Sequence, residues 1–174
     1  MDGLGDRLTE SRAALDRLRP AIAAGEPWPL SRAYGAEPES DWGPKEVLAH
    51  VAEMVPYWLA QTEAILAAPS DPAEPLPFGR IATDPERIAS IGRDRALPAI
   101  ELLAGIDAGL ADVLARLDAL GPADRARRGV HLRLGEMAVE AIVERFIVGH
   151  LEEHVRQLEE ILALRRIARP DPAG

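Results

Sequence analysis

The stretch EMAVEAIVERFIVGHLEEHVRQLEEILALRRI, residues 136–167, decides the fold. It holds no proline and one glycine, Gly149, so no strong breaker interrupts a helix along its length. Apolar residues recur at steps of three and four through Val143, Ile147, Ile161 and Leu164, the period of one helix face. His150 and His154 fall on that same stripe, while Glu152, Arg156 and Glu159 fall on the opposite side. Two imidazoles one turn apart on an inward face can chelate one cation.

Three further helical segments precede this one. Thr83 or Asp84 before Pro85 is a capping signature, and it opens a segment that reads helical to about Leu120. Interruptions at Gly92 and Pro98 predict a short helix leading into a long one. Gly121 and Pro122 stop it, and ADRARRGVHLRLG crosses back as a loop. Before the Pro-rich loop PSDPAEPLPFG lies a helix over about 44–68, with Asp41 as cap, Pro44 in the first turn and Glu46 at the positive end of the dipole. Pro56 predicts a bend within it. The first helix covers about 4–24 on the apolar spacing of Leu4, Leu8, Leu15, Leu18 and Ile22, with Pro20 as a possible kink and Gly25–Pro27 as the stop. The connection EPWPLSRAYGAEPES follows, in which Trp28 and Leu30 are expected to cover one end of the core. The expectation is therefore an all-α, single-domain four-helix bundle with helices at about 4–24, 44–68, 85–120 and 136–167.

Composition narrows the function. At 174 residues and 47% hydrophobic, the chain has the apolar surface for one sizeable core. A net charge of −9 repels phosphate backbones and anionic membranes, so no nucleic-acid or membrane partner is expected, and Arg125, Arg127 and Arg128 read as a solvated turn. The absence of cysteine excludes disulfides, thiolate metal sites and a cysteine nucleophile, which leaves His, Asp and Glu as metal donors. With no long apolar run and an acidic start, neither a signal peptide nor a membrane span is expected, and the location is read as cytoplasmic.

A third histidine joins the pair. In the second helix the stripe Val47, Met54, Trp58, Ile65 has His50 filling its first step. A lone histidine on an apolar face is commonly satisfied by a carbonyl. Two helices that each direct histidines inward are better explained by one shared divalent metal on His50, His150 and His154. Three protein ligands leave a position for water or substrate, as in catalytic sites. Zinc is expected on availability, with nickel as the alternative. Leu151 stands where a zinc protease would need its glutamate, which argues against protease chemistry. His131 reads as structural or exposed, at most lining the mouth of the site. Glu53, Glu144 and Gln157 lie at the height needed to orient the ligand rings.

These residues resemble the DinB/YfiT-like superfamily of metal-dependent enzymes. DWGPKEVLAHVAEMVPYWL is similar to the family's opening W-x-x-x-E-V-L-x-H, matched by Trp42, Glu46, Val47, Leu48 and His50, and LGEMAVEAIVERFIVGHLEEHVRQL is similar to its last bundle helix, with His150, His154 and Gln157. The likeness spans about residues 5–167, and the long Pro-rich loop between the second and third helices departs from it. The resemblance implies a four-helix bundle, a zinc- or nickel-type three-histidine site and a homodimer. It also implies a transferase that uses a low-molecular-weight thiol, as with bacillithiol or mycothiol, on small electrophilic substrates. A metal-dependent hydrolase and a non-catalytic, metal-stabilised small-molecule-binding bundle are the alternatives.

Overall fold

The computed structural model describes residues 3–32, 34, 39–69 and 75–168. The closing stretch ARPDPAG, whose composition reads as a frayed tail, lies from residue 169 outside them. Helix α1 spans Gly3–Ala24 and runs on through Pro20. It stops where the Gly25 N–H turns back to the carbonyls of Ala21 and Ile22. Trp28 closes this end by donating its Nε1–H to the Ile22 carbonyl at 2.8 Å, whereas Leu30 is exposed and covers nothing.

Helix α2 spans Pro44–Ala67 and is continuous through Pro56. Its N-cap is Gly43, while Asp41 closes a preceding 3-10 turn, Glu39–Asp41, so the expected Asp41 cap is corrected. Glu46 is fully buried and accepts from the Ser31 N–H at 2.9 Å and from Arg95 at 3.0 Å, which ties the entering loop to the helix start. Asp84 caps α3, Pro85–Asp94, by accepting from the Arg87 N–H at 2.9 Å. Helix α4, Ala99–Ala119, begins directly after Pro98. The segment 85–120 is thus two helices, broken ahead of Pro98 and unbroken at Gly92, because proline restricts the residue before it and cannot donate to the preceding turn.

A short helix α5, Pro122–Arg125, leads into the part of the chain read as a plain loop. Here the structure adds a small sheet to an otherwise helical chain. Strand β1, Leu76–Phe78, pairs in parallel with β2, Arg128–His131, which pairs antiparallel with β3, Gly135–Ala138. The β2–β3 turn is three residues long and is followed by Gly135 at φ +76°, the left-handed position that such a turn requires. Of the arginine cluster, Arg125 reaches the last carbonyls of α4 and Arg127 reaches Ala68 at the end of α2, so two of its members neutralise helix C-termini.

The final helix begins at Val139 rather than Glu136, since 136–138 belong to β3. It comprises α6, Val139–Val143, a π-helical turn at Glu144–Val148, and α7, Gly149–Ala168. The Gly149 N–H bonds to the Glu144 carbonyl, five residues back. This extra residue advances the buried face by one position, to Val148, Leu151, Val155, Leu158 and Leu162. Ile161 is only half-buried and Leu164 is 67% exposed, so the stripe read through those two is corrected. Helix α2 is the centre of the packing, touching α3, α4, α6 and α7, while α1 lies against α4 and α7. The chain is mostly helical with one small sheet, and among the described residues no helix is long and apolar enough to cross a membrane.

Candidate metal centre

His50 sits two turns into α2, and His150 and His154 lie on the first turns of α7. The structure brings all three together and adds a fourth residue, Glu39, from the 3-10 turn before α2. His50 Nε2 is 3.2 Å from His150 Nε2. Glu39 Oε2 is 3.6 Å from His154 Nε2 and 3.8 Å from His150 Nε2, and one donor atom from each residue lies within 4.8 Å of the others. Donors around a cation at bond lengths of about 2.0–2.1 Å are separated by about 3.3–3.4 Å in a tetrahedron. The spacing therefore fits a small divalent ion.

Hydrogen bonding fixes the face His154 presents. The Glu39 carbonyl can only accept, so the Gln157 amide nitrogen, 2.6 Å away, must donate to it. Gln157 Oε1 then faces His154 Nδ1 at 3.0 Å and must accept its proton. The His154 lone pair is left on Nε2, which is buried and has no partner. Such an unpaired buried acceptor costs on the order of 1–3 kcal/mol, and a cation would remove the penalty. At the 3.2 Å contact two facing lone pairs would repel, so His50 and His150 require either a proton or a cation between them.

The local field keeps these groups in their ligand forms. Burial, reinforced by the neighbouring His154 and His150, pushes His50 well below the usual histidine range. Burial and His150 bring His154 down to about 4. For Glu39, burial opposes ionisation, but contacts with His150, His154 and Arg87 outweigh it and hold the carboxyl below its ordinary range. Arg87 is buried and braces Glu39 through a 2.6 Å contact to Oε1, while its other nitrogen donates to the Ala82 carbonyl at 2.9 Å. Trp42 meets the His50 ring edge-on at 5.4 Å.

Of the four, Glu39, His50 and His150 line a cavity of about 450 Å³ together with Trp58, Phe146 and Arg145. The stretch Arg80–Ala82, which follows the Pro-rich loop, also lines it, with Arg87 and Glu153. Strand β1 lies just before that stretch. Phe146 stacks on Trp58 at 4.1 Å and 12°.

Of the three residues considered for orienting the rings, Gln157 does so. Glu53 instead pairs with Arg80, and the Glu144 carboxylate pairs with Arg7 on the surface. His131 is buried outside the cluster against Phe78 and Phe146. Glu39 was missed because it lies in a Pro- and Ser-rich connection with no helical period. Its only sequence signal is its position three residues before Trp42.

The family model described as the DinB superfamily matches residues 7–158. No curated protein and no solved structure gives a significant match.

Proposed function

The chain belongs to the DinB superfamily, and from that premise we propose that it is a metal-dependent enzyme. In this reading His50, His150 and His154 hold one divalent ion, zinc by availability with nickel as the alternative, inside a four-helix bundle of the superfamily type. The reaction is transfer of a low-molecular-weight thiol to a small electrophile. The observation that carries the reading is the bare, buried Nε2 of His154, beside two further imidazoles and a carboxylate at the floor of a cavity.

The ion would supply Lewis acidity that favours the ionised form of a thiol or water near neutral pH. The protein supplies the rest. Gln157 holds the proton on His154 Nδ1 and keeps Nε2 available. The stacked Trp58 and Phe146 form an apolar wall that excludes water from an electrophile lying on it. Glu39, braced by Arg87, sets a carboxylate oxygen beside the imidazoles where the ion would be held.

Elemental analysis of the wild type beside His50→Ala and His154→Ala tests the site. About one equivalent in the wild type and none in either variant is expected, and retention in either sinks the shared site. Glu39 favours a second reading: as a fourth ligand it would close the site and make the ion a staple between α2 and α7. Cobalt-substituted protein distinguishes the two, since added 2-mercaptoethanol gives a thiolate-to-cobalt absorption band only where a position is exchangeable. The homodimer is part of the proposal through the family, and sedimentation velocity checks it.

A further inference from the structure

Three arginines line the cavity beside the histidines: Arg80, Arg87 and Arg145. Two are engaged. Arg87 is held by Glu39 and the Ala82 carbonyl, and Arg80 lies 3.7 Å over the Tyr57 ring while paired with Glu53. Arg145 differs. It is exposed, its guanidinium is 5.8 Å from the Phe146 ring centre, and among the described residues it has no hydrogen-bond or ion-pair partner. The π turn carries both Arg145 and Phe146, and so sets a guanidinium over the Phe146 ring of the Trp58–Phe146 stack.

We propose that this cavity binds a small organic monocarboxylate, with its carboxylate on Arg145 and its apolar or aromatic body against the Trp58–Phe146 stack where it lines the cavity. A guanidinium offers parallel N–H groups that match a carboxylate, and an aromatic wall takes a planar body. Charge limits the ligand to one small anion. The three arginines are balanced by Glu39, Glu53 and Glu153, of which Glu39 and Glu153 also line the cavity, so a nucleotide or other polyanion gains little there. The inference rests on the cavity being the reactive site, but the carboxylate contact itself does not use the metal.

The test is calorimetric titration of the full chain in EDTA with phenylacetate and with its neutral isostere phenylacetamide. Removing the metal ensures that any preference for the acid comes from the protein. A charge-assisted contact predicts that the acid binds about tenfold or more tightly than the amide. Arg145→Gln should bring the two within about twofold, and Arg145→Lys should restore part of the difference. Equal binding of acid and amide, an undiminished preference in Arg145→Gln, or no binding of either compound overturns the proposal. Metal content, measured on the same preparations before chelation, should not change in Arg145→Gln. A protein that lacks metal yet prefers the acid refutes the metal reading alone, and a metal-replete protein without the preference refutes this one alone.

Discussion

His154 and His131 are both buried histidines, and both rings are made less basic by their surroundings. Burial and a depressed pKa therefore do not separate a ligand from a packing residue. Their nitrogens do. His131 Nδ1 accepts the N–H groups of Arg133 and Leu134 at 3.2 and 3.3 Å, which puts its proton on Nε2. Its ring is spent on Phe146, stacked at 5.1 Å, and on Phe78 edge-on at 5.3 Å. The hairpin turn thus satisfies His131 Nδ1 from its own backbone. His154 has one nitrogen committed to Gln157 and the other bare. An orphaned lone pair among other donors is the mark of a candidate ligand.

The largest effect that could break this distinction is all-or-none. His131→Ala should retain the full metal content that His154→Ala loses, as read by elemental analysis, and equal loss in both would erase the contrast. Next, Gln157→Leu frees His154 to adopt the wrong tautomer, and competition with a chelator should show metal affinity weakened about 10–100-fold. A smaller effect lies in pH. The His154 pKa falls from 6.5 to about 4 on folding, so the unfolded chain binds a proton that the folded chain refuses. Metal-free protein should lose on the order of 3 kcal/mol as pH drops from 6.5 to about 4, and His154→Gln should flatten that slope in thermal melts. His131 acts with the same sign, so His131→Gln should flatten it too. Gly79→Ala addresses the other side of the comparison. Gly79 has φ +91°, and an added Cβ would stand 2.5 Å from His131 Cδ2. A loss of about 1–3 kcal/mol in denaturant melts is expected, with metal content kept.

The long helices were legible because their signals are local and repeated. Asp84 before Pro85 marks a start, Pro44 marks another, and the step from Val47 to Met54 turns His50 inward without any knowledge of its partners. The pair His150 and His154 was legible for the same reason. Features set by distant contacts were not. Glu39 is aimed by Arg87 and Gln157, 48 and 118 residues away. The strands are three or four residues long, too short to show alternation, and Glu136–Ala138 continued a helical pattern. Phe78 and His131 meet only because β1 and β2 pair in that register. The π turn left no periodic trace ahead of it. It surfaced only as Leu158 and Leu162 buried where Ile161 and Leu164 were expected.

That turn has a consequence for how the protein can change. Each residue of an α-helix rotates the chain by about 100°, so winding Glu144–Val148 as ordinary α-helix with no residue removed would rotate α7 as a unit. His150 and His154 would swing away from His50 together while their mutual spacing stayed intact. Gly149 suits this junction, since an added Cβ there would come within 3.1 Å of the Glu144 carbonyl. Deleting one residue between Glu144 and Gly149 would instead relax the turn to ordinary α-helix with His150 and His154 still facing His50.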